Sequence, residues 1–191
     1  MIRRLLIANR GEIAVRILRA CKEMGIETVV VYSSADKESL AVQLADQAVC
    51  IGPAMAKESY LNMHMILQAA CSTGCDAIHP GYGFLSENAK FARLVQECDM
   101  IFVGPSPRLI DLMGDKTQAR KRMKEAGVPV VEGCEDSLTS LKQARSMADS
   151  IGYPVIIKAR HGGGGRGMRI VYQEDELENA FIEAKQEAKA C

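Results

Sequence analysis

Short apolar runs alternate with amphipathic segments through the first half of the chain. The run Leu5–Ala8 predicts a strand, and the apolar positions between Glu12 and Met24 then recur at helical spacing until Gly25 interrupts them. The alternation continues, with strands predicted at 27–32, 47–51, 77–79 and 100–103 and helices at 40–45, 60–72 and 86–97. Strands separated by helices at this interval predict an α/β fold with an open parallel sheet, whose functional groups lie on loops at the carboxyl ends of the strands.

The pattern changes after Arg108. A basic, mostly helical segment at 108–126 is followed by a predicted helix at 136–150, strands at 154–158 and 169–172, and a last helix at 174–190. We therefore place a domain boundary within the connector 108–130, with a first domain at residues 1–110 and a second, smaller one at 111–191.

The loop between the last two predicted strands, residues 161–169, is rich in glycine. Four consecutive glycines and Gly167 cost conformational entropy on folding, so this loop must need a bare backbone. Close approach to phosphate oxygens is such a need, and Lys158, Arg166 and Arg169 would add positive charge. Because the loop joins two strands and does not open a helix, it differs from a Walker A loop or a dinucleotide-binding turn. We interpret it as a flap over a nucleotide.

Composition and charge exclude several classes of function. The 191 residues carry 24 basic and 24 acidic side chains and no Trp, so nucleic-acid binding is not expected. The apolar runs are of strand length, so no membrane span is predicted, and polar residues from Asn9 cut the first run too short for a signal peptide. Seven cysteines without a CxxC pair suit reduced thiols, and we expect a cytoplasmic protein.

Four motifs together resemble one known family. They are Ile7–Ala14, His79–Asn88, Leu112–Lys116 and the segment from Lys158 to Arg169. In this order they are similar to the biotin carboxylases, the ATP-dependent components of acetyl-CoA, propionyl-CoA, methylcrotonyl-CoA and pyruvate carboxylases. The resemblance implies a Rossmann-like pre-ATP-grasp domain, followed by the incomplete start of an ATP-grasp domain with a glycine-rich flap.

The resemblance also implies an ATP site in the second domain. Lys116 and Lys158 would be its two phosphate-binding lysines, although Lys116 taken alone reads as a surface lysine of a basic helix. The flap backbone would close over the triphosphate. The residues assigned to ATP are Lys116, Lys158, Gly164 and Gly165, together with Gly163, Arg166 and Met168. His161 stands where the family has a small residue, and we interpret it as facing solvent.

The loop 79–88 follows a predicted strand, where α/β proteins build sites. It is consistent with a tight turn that has Ser86 as the helix N-cap and Glu87 in the first turn. The resemblance instead places the loop on the biotin side of the active site, with Tyr82, Gly83 and Glu87 facing that site. Both interpretations stay open on the residues alone.

The first strand-to-helix turn, Asn9–Glu12, contains a single glycine and therefore lacks a dinucleotide fingerprint. We assign this turn to packing and disfavour NAD binding. On the following helix, Arg16, Arg19 and Glu23 share one polar face. Such a face is ordinarily solvated, but the resemblance also makes it a candidate homodimer interface.

The reaction implied by the resemblance has two stages. ATP, held with Mg²⁺ or Mn²⁺, phosphorylates bicarbonate to carboxyphosphate, and CO₂ then passes to biotin on a biotin carboxyl carrier protein. A separate carboxyltransferase determines which acyl-CoA or pyruvate is used. Lys116 and Lys158 would neutralise the charge that builds up during phosphoryl transfer.

Sequences of this family continue beyond the position that matches Cys191. The resemblance puts the metal-binding carboxylates, the catalytic base, the adenine contacts and the biotin-binding arginine in that later part, so we assign no catalytic residue and no metal ligand here. We expect an N-terminal fragment that does not carboxylate biotin alone. The alternatives are a non-catalytic nucleotide-binding or dimerisation module, and another ATP-grasp ligase such as a carbamoyl-phosphate synthetase. The motifs at Asn9 and His79 favour biotin carboxylase over the second alternative.

Overall fold

Five parallel strands form the sheet of the first half of the molecule. The computed structural model describes residues 2–131, 133–134, 138–158 and 168–190, without the side chains of 116–117 and 187–190. The strands are β1 (Arg4–Ile7), β2 (Glu27–Ser33), β3 (Gln47–Gly52), β4 (Ala77–His79) and β5 (Ile101–Phe102). They lie in the order β3-β2-β1-β4-β5 and all their pairings are parallel, which confirms the predicted open sheet.

Helices cover both faces of this sheet. They are α1 (Gly11–Glu23), α2 (Leu40–Leu44), α3 (Met63–Ser72) and α4 (Ala89–Glu97). Alternate residues of β1 point to opposite faces, so Leu5 and Ile7 pack with α1 and α2, whereas Leu6 packs with α3 and α4. Burying one such aliphatic side chain contributes about 1.5–3 kcal/mol. The alternation along the strands therefore decides which face each helix covers.

The strand order reverses between β1 and β4. From β1 the sheet continues through β2 to β3 on one side, and from β4 to β5 on the other. Ile7 is paired with His79, so the loops that follow these two strands leave the sheet side by side. In open α/β sheets such a reversal forms a crevice at the carboxyl edge, where ligands bind.

Two helices of the first unit begin later than their sequence patterns predict. α3 and α4 begin at residues 63 and 89, not at 60 and 86. The side chains of Asn62 and Asn88 cap them, because each accepts a hydrogen bond from the backbone N–H three residues later, at 3.2 and 2.9 Å. Ser86, the predicted cap of α4, lies in the turn before it.

The chain divides into two compact units, residues 1–111 and 112–191. The segment predicted as one mostly helical stretch consists of two helices, α5 (Pro107–Gly114) and α6 (Lys116–Glu125). Asp115 separates them, because its side-chain carboxylate accepts a hydrogen bond from Gln118 N at 3.2 Å and its carbonyl accepts one from Ala119 N at 2.8 Å. These bonds satisfy backbone donors at the start of α6.

A two-stranded antiparallel sheet with two helices makes up the core of the second unit. Its elements are α7 (Leu141–Ile151), β6 (Val155–Lys158), β7 (Met168–Val171) and α8 (Leu177–Ala190). Val155 and Val171 belong to one apolar cluster with α7 and α8, on one face of the strand pair. The helix predicted at 136–150 begins only at Leu141, after its cap Ser140, since the described residues 138–140 are not helical; residues 135–137 lie outside the described part. The last helix begins at Leu177, not at 174.

The helices of both units are short. The longest of those described, α8, has 14 residues, fewer than the ~20 that a bilayer requires. Among the described residues, no helix is both long and apolar enough to cross a membrane.

Candidate functional site

One face of the β6–β7 strand pair is apolar and exposed. Its cross-strand pairs are Ile156 with Ile170 and Lys158 with Met168. Ile156 is 54% exposed and Ile170 56%, and Lys158 and Met168 are exposed beside them. Because side chains alternate along a strand, these four share the face turned away from α7 and α8. We call Ile156, Lys158, Met168 and Ile170 the hairpin face.

The hairpin face combines an apolar surface with a cation. A nucleotide presents a base and ribose that favour apolar contact and a polyphosphate that favours an ammonium group. Lys158 is the last residue of β6 and precedes the glycine-rich loop by three positions, so its charge lies at one edge of the apolar surface. The face can therefore take a nucleotide with the base over the isoleucines and the phosphates toward Lys158.

Lys158 and Met168, both assigned to ATP from the sequence, lie opposite each other across the two strands. Ile156 and Ile170 were missed as site residues. Ile156 is two positions from Lys158, and Ile170 is two positions from Met168. Because side chains two positions apart on a strand share a face, the sequence already indicated this arrangement.

Arg169 does not share the hairpin face. It follows Met168 in β7 and points to the opposite side, where its Nε lies 2.9 Å from the Glu183 carboxylate of α8. In this structure a helix carboxylate binds the Arg169 guanidinium on the side opposite to Lys158, and the expectation that Arg169 adds charge beside the phosphates stays a prediction.

The remaining ATP assignments fall where the structure gives no side-chain description. The backbone of Lys116 begins α6, but its side chain is outside the described part. Gly163, Gly164, Gly165 and Arg166 also lie outside the described residues, as does His161, which the sequence predicts to face solvent. Their roles stay predictions.

Asn9 joins the two loops at the strand reversal in the first unit. Its side chain is 3% exposed, and its Nδ2 donates to the carbonyl oxygens of Pro80 at 2.7 Å and Tyr82 at 2.8 Å. Its Oδ1 accepts from Arg10 N at 2.9 Å. The buried amide is thus well satisfied, as buried polar groups generally are. The turn 9–12, which the sequence assigns to packing, therefore contacts the loop after β4 through the Asn9 side chain.

A cavity of about 390 Å³ lies between residues 9–13 and 82–84. Tyr82 is 59% exposed, and its hydroxyl donates to the Glu12 carboxylate at the start of α1. This hydrogen bond, together with burial and the charge of Glu12, raises the pKa of Tyr82. Tyr82 and Gly83 line the cavity, whereas Glu87 lies exposed in the turn before α4.

Two residues of the cavity lining, Arg10 and Phe84, belong to a larger cluster. The rings of Tyr60 and Phe84 stack with their centres 5.1 Å apart, and the Arg10 guanidinium lies 5.7 and 5.8 Å from those centres. Asp36 accepts a hydrogen bond from the Tyr60 hydroxyl at 2.8 Å and lies 3.7 Å from Arg10. We call Arg10, Asp36, Tyr60 and Phe84 the arginine cluster.

The arginine cluster holds opposite charges at neutral pH. Burial favours the neutral form of Asp36, but hydrogen bonds from Ser33 and Tyr60 and the charge of Arg10 outweigh it, so the pKa of Asp36 is lowered. Burial raises the pKa of Tyr60 to about 12, and the Asp36 carboxylate adds to this effect. Asp36 and Tyr60 were not predicted, because a contact between residues 24 positions apart leaves no local pattern.

The His79 side chain binds the backbone of the loop that follows β4. Its Nδ1 accepts a hydrogen bond from Gly81 N at 3.0 Å, and burial lowers its pKa. With Nδ1 as an acceptor, the proton of the neutral imidazole is on Nε2. Within the described ranges, no three His, Cys, Asp or Glu side chains come together in a way that could hold a metal ion.

Two family models match the chain in succession. The model described as "Biotin carboxylase, N-terminal domain" matches residues 1–110. The model described as "Carbamoyl-phosphate synthase L chain, ATP binding domain" matches residues 115–191. The first match covers more than half of the chain.

Curated relatives carry the same name as the first model. Biotin carboxylase 1 of Bacillus subtilis is 58% identical over 188 residues, which are 98% of this chain and 42% of that protein. Biotin carboxylase of Haemophilus influenzae is 56% identical over 192 residues, or 100% of this chain and 43% of that protein. The chain thus spans less than half the length of the relatives it matches.

Solved structures agree with these sequence matches. A biotin carboxylase–β,γ-ATP complex from Campylobacter jejuni superposes with a TM-score of 0.95 at 49% identity, over 100% of this chain and 43% of that one. The biotin carboxylase domain dimer of Hydrogenobacter thermophilus 2-oxoglutarate carboxylase, described with MgADP, ADP and bicarbonate, gives a TM-score of 0.92 at 46% identity, over 100% of this chain and 42% of that one.

Proposed function

The chain belongs to the biotin carboxylase family, and we propose that it supplies the nucleotide phosphate site and the biotin-side loop for ATP-dependent carboxylation of biotin. In this reaction ATP activates bicarbonate as carboxyphosphate, and CO₂ passes to biotin on a biotin carboxyl carrier protein. One observation carries the proposal: Lys158 stands paired with Met168 at the edge of an exposed apolar face, next to the glycine-rich loop.

We assign residues 1–110 to the N-terminal, pre-ATP-grasp domain and residues 111–191 to the start of an ATP-grasp domain. The compact units at 1–111 and 112–191 support this division. The parallel sheet supplies the crevice loops in the first domain, and the antiparallel strand pair supplies the nucleotide surface in the second.

The role of Lys158 is electrostatic. Its ammonium group neutralises phosphate charge, and its placement on a strand fixes where that charge lies before the nucleotide binds. Lys116 is the second lysine of the proposed pair. Gly163, Gly164, Gly165 and Arg166 would cover the triphosphate and exclude water from an intermediate that water destroys.

Tyr82, Gly83 and Glu87 are the proposed biotin-side residues. Support for the first two is their position in the cavity lining at the strand reversal, where open α/β sheets bind ligands. Glu87 has weaker support, because it lies exposed in the turn before α4.

Mg²⁺ or Mn²⁺ would supply further charge neutralisation for the phosphates. The described residues do not fit such a metal, since they contain no cluster of three suitable ligands. Because these 191 residues span 42–43% of the curated relatives, we expect a polypeptide of this length to bind nucleotide without carboxylating biotin.

The proposed partners are a biotin carboxyl carrier protein, a carboxyltransferase and a second copy of the chain, in the cytoplasm. The dimer would use the face of α1 that carries Arg16, Arg19 and Glu23, all exposed in the single chain. Analytical ultracentrifugation of Arg19→Glu against the wild type tests this face, with loss of a dimer as the expected result.

Substitution of Lys158 tests the nucleotide site. Lys158→Gln removes the charge but keeps an exposed polar side chain, so we expect ATP-analogue affinity to fall about 10- to 100-fold, as for the loss of a charge-assisted hydrogen bond. Lys142→Gln is the matched control, because Lys142 is an exposed lysine of the same unit on α7. Calorimetric titration measures both. Equal affinities for the two variants would refute the proposed nucleotide site.

A second candidate is another ATP-grasp ligase. The match of residues 115–191 to the ATP-binding domain of carbamoyl-phosphate synthase favours it for the second unit, because the two enzyme classes share that domain type. The match of residues 1–110 favours biotin carboxylase for the chain as a whole.

A further inference from the structure

The loop 80–85 is fixed at both ends, with an exposed pair between them. At one end, Asn9 Nδ2 donates to the Pro80 carbonyl oxygen at 2.7 Å. At the other end, Phe84 stacks in the arginine cluster. Tyr82 and Gly83 lie between these anchors and line the cavity. Their position is thus determined from both sides.

The contact between Asn9 and the loop is close. A Cβ atom on Gly81 would lie 2.7 Å from Asn9 Nδ2, and Gly81 adopts a φ of +66°. Only a glycine combines this backbone conformation with the approach to the amide. The loop therefore packs on Asn9 through bare backbone.

Phe84 holds the other end at an energetic cost. Its φ of +38° is uncommon for a residue with a side chain. Such a conformation persists where the surroundings over-determine it, and functional sites are frequent examples. Here the ring stack with Tyr60 and the charge of Arg10 provide the surroundings.

We propose that Asn9 is a positioning residue, which orients the Tyr82 ring over the cavity by fixing the Tyr82 carbonyl. The amide suits this task because it donates two hydrogen bonds to carbonyl oxygens and accepts one from Arg10 N. Asn9 acts through Tyr82 and does not itself touch a ligand. The inference rests on the proposed function only in assigning this loop to biotin.

Asn9→Asp tests the inference with a side chain of the same shape. The carboxylate still accepts from Arg10 N, but it places a negative charge against the two carbonyl oxygens and donates nothing to them. We expect the Tyr82 hydroxyl to leave Glu12. The pKa of Tyr82, followed by NMR of ring-labelled tyrosine, should then move most of the way to its value in Glu12→Gln. Amide exchange at residues 82–85 should become about tenfold faster.

Gly81→Ala reaches the same contact from the loop side without changing any charge. Its Cβ displaces the Asn9 amide, so the variant should reproduce both signatures of Asn9→Asp. Gly25→Ala is its matched control, since Gly25 has a φ of +67° and no atom within 4 Å of an added Cβ. That variant carries the same backbone strain at the end of α1 and should leave the Tyr82 titration unchanged.

Thr28→Val controls for the loss of a buried hydrogen bond as such. Thr28 is 3% exposed, like Asn9, and its Oγ1 donates to Asp46 at 2.7 Å, at the start of β2. Thr28→Val should leave the pKa of Tyr82 at its wild-type value. If Asn9→Asp leaves that pKa unchanged as well, Asn9 serves stability alone and the inference is overturned. Should Asn9→Asp fail to fold, Gly81→Ala decides, and an unchanged Tyr82 titration in that variant overturns the inference equally.

Nucleotide titration of the same proteins separates this inference from the proposed function. Asn9→Asp should bind the ATP analogue as the wild type does, because the proposed nucleotide residues belong to the other unit. A wild-type chain that binds no nucleotide would refute the proposed function, while the Tyr82 titration would still decide the role of Asn9.

Discussion

The crevice of the first unit and the hairpin face of the second differ in how their side chains are satisfied. In the crevice, Arg10, Asp36 and Tyr60 contact one another, and Asn9 is hydrogen-bonded through both atoms of its amide. On the hairpin face, two isoleucines expose more than half of their surface beside a lysine. The crevice is organised before a ligand arrives, whereas the hairpin face gains burial from whatever binds there.

This difference separates stability from affinity. A group that is satisfied within the protein contributes to the free energy of unfolding with or without a ligand. A group that is satisfied only by a ligand contributes to binding and little to folding. Substitutions in the two regions should therefore have opposite signatures.

The largest effect is expected from Tyr60→Leu in the arginine cluster. Tyr60 is 2% exposed, and the change removes its ring stack and its hydrogen bond to Asp36, so the free energy of unfolding should fall by about 2–4 kcal/mol. Tyr172→Leu is the control: because Tyr172 is exposed, this substitution should lower the free energy of unfolding by less than about 0.5 kcal/mol. Urea unfolding of both proteins measures this. Similar losses in the two variants would contradict a pre-organised crevice.

A smaller effect, of the opposite kind, is expected from Ile156→Thr on the hairpin face. The change keeps a β-branched residue on the strand and lowers apolar contact with a base, so ATP-analogue affinity should fall about 3- to 10-fold. The free energy of unfolding should change by less than about 0.5 kcal/mol.

Val171→Thr provides the reverse case in the same strand pair. Val171 is fully buried, so the threonine variant places an unpaired hydroxyl in the core and should lose about 1–2 kcal/mol of unfolding free energy. Its nucleotide affinity in the folded protein should be unchanged. Calorimetry and urea unfolding of the two variants give the comparison. If Ile156→Thr destabilises the protein as much as Val171→Thr does, the hairpin face is part of the core and not a binding surface.

The smallest effect is a pH dependence from Asp36. Because its pKa is lowered in the folded protein, its ionised form contributes stability above the unfolded value of about 3.9, and this contribution is lost as pH falls through the folded pKa. The difference in unfolding free energy between the wild type and Asp36→Asn should therefore narrow as pH falls from 6 to about 3. Urea midpoints across this range measure it, and a constant difference would show that Asp36 does not depend on its charge.

The periodic parts of the fold were predictable from local pattern. Alternating apolar residues in β1 and the helical spacing in α1 each encode a face, and both elements occur within one residue of the predicted positions. The starts of α3 and α4 were not predicted correctly. Tyr60 fits the apolar spacing of α3, but it is buried in the loop that precedes the helix. For α4, both Ser86 and Asn88 are residue types that cap helices, and in the structure the cap is Asn88.

The candidate site divides in a similar way. Lys158 and Met168 could be named because a motif and a strand period both mark them. Asp36 and Tyr60 could not, because their contact forms only when two loops from different strands meet at the carboxyl edge of the sheet. Asn9 could be located in a motif, but its partners in the loop after β4 depend on the strand order.

The two edges of the parallel sheet differ in their tolerance of added chain. Gly25 and Gly74, with φ of +67° and +64°, lie in the short turns that lead into β2 and β4; the glycines themselves should be kept there, but a Cβ atom at either would meet nothing closer than 4.0 Å, so the space beside these turns is open. A peptide tag or a fluorophore inserted at these amino-edge turns would avoid the network around Asn9. Reporters for ligand binding in the crevice can therefore be attached at the edge opposite to it.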